Sequence, residues 1–213
     1  MSWAEVMKIN DNVKKPLNEQ IREARFLPLG IITATGTYTP EKTGLYKVIC
    51  VGAGGKATTS SSGTVGAGGA GGVAIKTLKL LSNTSYNVTV GTTASFAYEG
   101  TAITATSGSV NSAGGSGGTG SGGDYNYTGG QGSTATTNGK TAQGGSLGVF
   151  ISELSVEKSI AVYYQTEVRN IQYGTSLLGY GGGASGIKGS SGETVTMDGL
   201  PASIIIIPLE MEE

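Results

Sequence analysis

Apolar residues recur with two different periods along this chain and divide it into two parts. Residues 1–29 contain no glycine and carry apolar side chains at spacings of three and four, the pattern of an amphipathic helix. Ser2 and Glu5 fit a capping box, and Pro16 interrupts the stripe. The pattern predicts two short helices that meet at Pro16, the second ending before Pro28. The stripe consists of Val6, Ile9, Val13, Leu17, Ile21 and Ala24.

From residue 30 onward the apolar pattern changes to the short alternating runs that are typical of β-strands. The run 31–40 and the run 45–51 are separated by a turn sequence, which indicates either a hairpin or the start of a sandwich. The last run is apolar on both faces, so we expect it in the interior of a sheet. The predicted strands are 31–40, 45–51, 73–81, 86–90, 95–105, parts of 149–169, 193–197 and 202–207.

Glycine-rich tracts lie between these runs, and their glycines recur at every third position. Three residues per turn is the period of a polyproline II helix, so each tract would present one face without side chains. Such rods can approach closely and exchange backbone hydrogen bonds, whereas flexible linkers would not. We therefore predict packed rods. The series are 63, 66, 69, 72; 114, 117, 120, 123; 139, 145, 148 with Ala142 in the gap; and 183, 186, 189, 192.

Composition excludes most catalytic chemistry. The 213 residues include 38 glycines, one cysteine and no histidine, so neither a histidine-dependent nucleophile nor a histidine-ligated metal site can form. A net charge of −1 gives no electrostatic basis for binding nucleic acid. Cys50 cannot form an internal disulfide and is expected to be an ordinary strand residue. We expect no enzyme activity, no cofactor and no metal.

One motif resembles a dinucleotide-binding fingerprint. The strand 46–51 is followed by Gly52, Gly54 and Ala57 at the spacing of G-x-G-x-x-G/A. The fingerprint needs a following helix whose N-terminus holds the pyrophosphate, but the sequence after Ala57 is rich in threonine and serine. The acidic residue expected about 20 positions later is also absent. The motif therefore predicts no nucleotide site.

Aromatic residues in loops remain as the source of specific contacts, because tyrosine offers a large contact area at a low entropic cost. Tyr125 and Tyr127 flank Asn126 in the longest glycine tract, where a rod must reverse, so we expect both rings to face outward or one to fix the turn. The candidate receptor-binding residues are Tyr125, Asn126, Tyr127, Phe96, Tyr98, Tyr163 and Tyr164.

The opening decapeptide MSWAEVMKIN, the strand-plus-GAGG junction at 46–55 and the GYGGGASG segment at 179–186 resemble the glycine-rich tail-fibre proteins of phages and prophages. The resemblance implies an adhesin in which polyproline II rods form a sandwich and loops between rods contact a bacterial receptor, protein or glycan. It also implies that the N-terminal segment mounts the protein on a fibre or baseplate protein. The segment 152–173, which lacks glycine, departs from this pattern.

We accordingly expect a mainly β and irregular fold with a short helical segment at 1–29 and a β plus polyproline II receptor-binding domain at 30–213. The expected location is the distal tail of a virion or tail-like particle, after synthesis in the host cytoplasm without a signal peptide or membrane insertion. The protein could act as a trimer or as a monomeric cap. The alternatives are a fibre component or assembly chaperone that contacts no receptor, and an ice-binding protein. The expected attachment residues are Trp3, Val6, Ile9, Val13, Leu17 and Ile21.

Overall fold

The computed structural model of the protein describes residues 30–60, 63–151, 154–156, 159–164, 167–188 and 194–212. These residues form β-strands and extended irregular segments, with no helix among them. Within these ranges, accordingly, nothing helical has the length and apolar character needed to cross a bilayer. The helices predicted for 1–29, and with them every expected attachment residue, lie outside the described residues.

Twenty strands make up the regular structure of the described chain. In chain order they are β1 (Gly30–Ile32), β2 (Gly36–Tyr38), β3 (Gly44–Val51), β4 (Thr58–Thr59), β5 (Val65–Gly66), β6 (Val73–Leu80), β7 (Tyr86–Val90), β8 (Ala94–Tyr98), β9 (Thr101–Ala105), β10 (Gly120–Ser121), β11 (Tyr125–Tyr127), β12 (Thr134–Ala135), β13 (Thr141–Ala142), β14 (Ser155–Val156), β15 (Ser159–Tyr164), β16 (Glu167–Gln172), β17 (Ser176–Leu177), β18 (Gly186–Lys188), β19 (Thr194–Thr196) and β20 (Ser203–Met211).

Two five-stranded antiparallel sheets pack face to face. The first sheet has the order β1-β20-β3-β6-β11, and the second has the order β10-β9-β8-β7-β2. Alternation along each strand sends every second side chain into the space between the sheets. The largest fully buried side chain in this first core is that of Phe96. Its buried members are Tyr46, Val48, Cys50, Ala74, Leu78, Leu80, Tyr86, Val88, Ala94, Phe96, Ile103, Ala105, Ala202, Ile204 and Ile206.

The outer face of the first sheet carries a second core. Ile204 and Ile206 of β20 point into the first core, whereas Ile205 is buried in the second and Ile207 packs against it. β20 lies between β1 and β3, which confirms that the strand apolar on both faces is interior. Leu147, Leu154 and Leu177 belong to segments that cover this face.

The predicted hairpin of 31–40 with 45–51 is wrong, and the alternative of a sandwich is correct. β1 pairs with β20 in the first sheet, while β2 crosses to the second sheet and pairs with β7. Thr35 lies at the crossing, where its hydroxyl accepts a hydrogen bond from the Val90 amide at 2.9 Å. The run 95–105 divides into β8 and β9 because a turn at Glu99 and Gly100 reverses the chain.

The glycine tracts leave the strands as extended segments that pack side by side. We number these rods, within the described residues, as rod 1 (52–57), rod 2 (67–72), rod 3 (106–109), rod 4 (115–119), rod 5 (128–133), rod 6 (143–148), rod 7 (173–175), rod 8 (181–185) and rod 9 (197–201). Rod 2 lies at the centre and exchanges backbone hydrogen bonds with rods 1, 3, 4, 5, 6 and 8.

The direction of the hydrogen bonds from rod 2 repeats every three residues. The amides of Ala67 and Ala70 donate hydrogen bonds to rod 5. The amides of Gly68 and Gly71 donate to rod 8, and the amides of Gly69 and Gly72 donate to rod 3. Carbonyl groups of the same rod accept from rods 1, 4 and 6. This is the period of a polyproline II helix, whose backbone has no internal hydrogen bonds and must find them elsewhere. Packed rods, rather than flexible linkers, are therefore confirmed for the described tracts.

Three of the predicted period-three series extend too far. Gly63, Gly114 and Gly139 have φ of +74°, +91° and +73°, so each ends its tract instead of continuing a rod. A left-handed backbone conformation favours glycine at these positions, and at Gly63 and Gly139 no close packing adds to that preference. Positions 189 and 192 lie outside the described residues.

Candidate functional site

The chain reverses between rod 4 and rod 5 in a hairpin that carries Tyr125, the most exposed of the tyrosines whose side chains the structure describes. Rod 4 leads into β10, which pairs with β9, and β11 returns along β6 into rod 5. Tyr125 pairs with Ile75 in the β11–β6 ladder, and its side chain is 64 % exposed. This confirms the predicted reversal of a rod at this position. The reversal lies beside the first sheet, because β11 pairs with β6.

Hydrogen bonds hold this hairpin, residues 121–127, in place. The Asn126 side chain accepts from the Gly123 amide at 3.0 Å and donates to the Gly123 carbonyl oxygen at 2.9 Å. The Asp124 carboxylate accepts from the Thr77 amide at 3.0 Å, which ties the hairpin to β6. The expected contact of Asn126 with a receptor stays a prediction, and within the hairpin both polar atoms of its side-chain amide already have a hydrogen-bond partner. These hydrogen bonds hold the backbone of the hairpin that carries Tyr125.

Tyr127 occupies a different environment from Tyr125. Its side chain is half-buried and packs against the second core, opposite Val73 on β6. Both tyrosines lie on the same face of β11 because they are two residues apart. Tyr127 is therefore the ring that anchors the turn, and Tyr125 is the ring left on the surface.

The fold also places Phe96 and Tyr98 in different environments. Phe96 is fully buried between the two sheets, so the expectation that it contacts a receptor is corrected: no part of its ring reaches the surface. Tyr98 is half-buried at the end of β8, where its hydroxyl donates to the Lys79 carbonyl oxygen at 3.1 Å. Alternation along β8 places both rings on the inner face, and only the strand end opens to solvent.

Tyr163 and Tyr164 lie in the long two-stranded ladder of β15 and β16. Tyr163 pairs with Val168, and Tyr164 pairs with Glu167. Within the described residues this ladder joins neither five-stranded sheet. The side chains of this pair lie outside what the structure describes, so their part in binding stays a prediction.

Phe150 is an exposed aromatic residue that the sequence analysis missed. Its side chain is 73 % exposed, while its neighbours Val149 and Ile151 pack against the second core. Two residues before Phe150, the backbone of Gly148 closely approaches the carbonyl group of Thr128, which is the residue after Tyr127. The alternation of Val149, Phe150 and Ile151 was a usable signal, since burial of two flanking residues in an extended segment turns the middle one outward.

Two titratable side chains with raised pKa values, Cys50 and Tyr38, lie in or against the first core. Burial raises the pKa of the Cys50 thiol to about 12, and burial, with Tyr46 and Glu41 adding to it, raises the pKa of Tyr38 to about 12. A thiol that stays protonated is a poor nucleophile. No cluster of cysteine, aspartate and glutamate side chains suited to a metal ion occurs among the described residues.

Comparison with known proteins places this arrangement in a family. Residues 33–203, which are most of the chain and include all nine rods and every strand except β1 and most of β20, match the family described as a glycine-rich domain. No curated protein matches the chain. The matched region begins after β1 and ends at the start of β20. The chain therefore belongs to the glycine-rich domain family.

Proposed function

We propose that this protein is a receptor-binding tail-fibre or tail-tip protein of a phage or phage-tail-like particle, and that it attaches the particle to a host cell. The resemblance of its opening decapeptide and strand-plus-GAGG junction to glycine-rich tail-fibre proteins supports this proposal. Its receptor is a bacterial surface protein or glycan. Residues 1–29 join it to a tail fibre or baseplate protein.

The observation that carries the proposal is the display of Tyr125. An exposed aromatic ring on a mobile loop would lose conformational entropy on binding, which weakens the complex. Tyr125 instead stands on a hairpin fixed by Asn126 and Asp124, between two rods that are hydrogen bonded to rod 2. A ring held in this way is suited to anchor a contact with another surface.

The course of the chain also fits a protein mounted at one end. β1 runs antiparallel to β20, and Ile32 pairs with Ile204 while Gly30 pairs with Ile206. β20 begins directly after rod 9, so Gly30 lies farther from the rods than Ile32 does. The polypeptide thus enters the first sheet running toward the rod bundle. β1 and β11 are the two edge strands of the first sheet, so a mount that precedes Gly30 would leave the Tyr125 hairpin on the opposite edge free for a receptor.

The test is adsorption of particles that carry variant protein to host cells. Tyr125→Ala should lower the affinity for cells by about fivefold or more, which corresponds to roughly 1 kcal/mol. Asn126→Ala should also weaken adsorption, because it frees the hairpin while leaving the ring. Val110→Ala removes a side chain of similar exposure, 48 %, from the loop between rods 3 and 4, and is the matched control.

Two outcomes would contradict the proposal. Unchanged adsorption by the Tyr125 and Asn126 variants would remove this hairpin from the binding site. Unchanged host range after exchange of all loops between rods would indicate a fibre component or assembly chaperone without receptor contact.

A further inference from the structure

An open groove lies at the end of the sandwich where β7 begins and β8 ends. Its volume is about 430 Å³, within the range of roughly 300–1,000 Å³ that is usual for small-ligand sites. Strand ends and two turns form its walls, so its shape is set by the sheets. Its lining includes Lys79, Thr84, Asn87, Tyr98 and Glu99, with Tyr86 at the base.

The groove exists because β7 and β8 separate before their ends. Their ladder stops at Val88 and Phe96, although Asn87 with Ala97 and Tyr86 with Tyr98 would be the next partners. Past that point β7 pairs with β2, and β8 pairs with β9. The gap between the two strands opens the inner face of the sandwich to solvent at this end.

Three aromatic rings form a column that leads from the first core to the groove. The ring centroids of Phe96 and Tyr86 are 5.6 Å apart at 22°, and those of Tyr86 and Tyr98 are 6.1 Å apart at 19°. Phe96 is fully buried, and Tyr98 is half-buried and lines the groove. Tyr98 is therefore the outermost member of a stack whose inner members are fixed by the core.

Polar groups on the groove wall have capacity for a ligand. Asn87 and Thr84 line the groove and are exposed, and among the described residues neither side chain has a hydrogen-bond partner. An amide carries both donors and an acceptor, and a hydroxyl can act as either. Neither group is needed to hold the strands, since Asn87 contributes to its ladder through the backbone.

Glu99 at the rim adopts a backbone conformation that its side chain disfavours. Glu99 has φ of +46° and Gly100 has φ of +75°, as in a two-residue hairpin turn that usually contains Asn-Gly or Asp-Gly. A glutamate at the first of these positions is strained, and such strain is concentrated at functional sites. The strained position places a carboxylate beside the groove that Tyr98 lines.

We propose that this groove binds a neutral saccharide, with one sugar ring lying against Tyr98 as the next layer of the aromatic column. A sugar ring offers C–H groups that pack on an aromatic face and hydroxyl groups that both donate and accept hydrogen bonds. Asn87, Thr84 and Glu99 would meet those hydroxyl groups. The site is distinct from the Tyr125 hairpin, and the proposal does not depend on the attachment of the protein to a tail.

The charges near the groove favour a neutral ligand over an anion. The Lys79 ammonium is paired with the Glu212 carboxylate at 2.5 Å, so its charge is already balanced. The Glu99 carboxylate at the rim would repel an acidic sugar. Neutral hexoses should therefore bind better than their uronic or sialic acid counterparts.

The experiment is a titration of the full chain followed by amide chemical shifts. The probes are methyl α-glucopyranoside, methyl β-galactopyranoside and N-acetylglucosamine, with galacturonic acid and N-acetylneuraminic acid as acidic comparisons. At least one neutral sugar should give saturable shifts at residues 84–87 and 97–100. Asn87→Ala should weaken that binding at least threefold with an unchanged melting temperature, and Tyr98→Ala at least tenfold, while Tyr98→Phe keeps most of it.

Glu99→Gly separates a binding role from a role in the turn. If the carboxylate meets the ligand, this variant should bind more weakly although its melting temperature equals or exceeds that of the wild type. Leu209→Ala, exposed on β20, is the control that should change nothing. The proposal is overturned if no neutral sugar shifts these residues, if the acidic sugars bind better, or if Asn87→Ala and Glu99→Gly both bind as the wild type does.

Discussion

The backbone amide of Gly118 donates a hydrogen bond to the carbonyl oxygen of Ala70 at 2.8 Å. The two residues belong to rods 4 and 2, and the chain between those rods runs through the four strands β6 to β9 and through rod 3. A side chain at position 118 would meet the carbonyl oxygen of Thr106 on rod 3. Glycine is therefore required at this position because three backbones approach one another there, and a network of such contacts forms a core without large side chains.

Valine at two glycines of the rod bundle should disrupt it, one at Gly117 on rod 4 and one at Gly186, where rod 8 continues into β18. A β-carbon at Gly117 would overlap the Gly129 carbonyl oxygen, and one at Gly186 would lie 2.8 Å from the Val65 side chain. We expect each variant to lose about 1–3 kcal/mol or more of unfolding free energy, with a melting temperature lower by at least about 3 °C. Gly91→Val is the control, because a β-carbon there meets nothing within 4 Å. Melting temperatures within about 1 °C of wild type for both rod variants would contradict the packing.

Truncation of the two hairpin tyrosines should have opposite consequences. Tyr127→Ala should lower the free energy of unfolding by about 2 kcal/mol, since its ring packs against the second core. Tyr125→Ala should stay within about 0.5 kcal/mol of wild type, since its ring is on the surface. Urea unfolding of the two variants measures this. Equal unfolding free energies for the two variants would contradict the assignment of Tyr127 to the core and of Tyr125 to the surface.

Alkaline pH should weaken the fold from about pH 9 upward. The folded-state pKa values of Cys50 and Tyr38 are raised from 9.0 and 10.0 to about 12, chiefly by burial. Between those values the unfolded chain has lost protons that the folded chain keeps, so the unfolding free energy falls as pH rises. Below pH 9 the two groups contribute a constant amount. Urea unfolding should give a shallower decline for Cys50→Ala than for wild type between pH 9 and 10.5, and parallel declines would refute this assignment.

Removal of residues 1–29 should leave the fold intact and abolish incorporation into particles. The two sheets and the rods are complete from Gly30 onward, whereas the apolar stripe lies wholly before it. Val13→Asp, on the stripe, should impair incorporation, and Asn12→Asp, beside it, should not. Normal melting together with absence from purified particles is the expected result. A truncated protein that still assembles would assign mounting to another surface.

Local sequence patterns were sufficient to predict the longer strands and the glycine periodicity, but not the short strands β4, β5, β10 to β13, β17 and β18 that lie in or beside the glycine tracts. The alternation of Val48 and Cys50 with Ile49 and Val51 anticipates the two cores on opposite faces of β3. The alanine in place of glycine at position 142 is likewise buried, in a small cluster with Ala67 and Ala135. These predictions succeeded because a period of two or three residues determines which side chains share a face.

The neighbours of each strand and rod could not be predicted in the same way. β1 and β2 are separated by three residues and join different sheets, and nothing in either run distinguishes its partner. Glycine backbones are alike, so the sequence of rod 2 does not indicate which six rods surround it. The same limit applies to Tyr125 and Tyr127, whose different burial depends on a second core assembled from residues distant in sequence.

The central claim is that the glycine tracts are a hydrogen-bonded core that holds the surface loops in place, and hydrogen exchange at rod 2 tests it most directly. All six amides from Ala67 to Gly72 donate to another rod. Their opening should require most of the global unfolding free energy, so they should exchange as slowly as the amides of β3. Exchange of these six amides at the rate of an unstructured glycine linker would contradict the account.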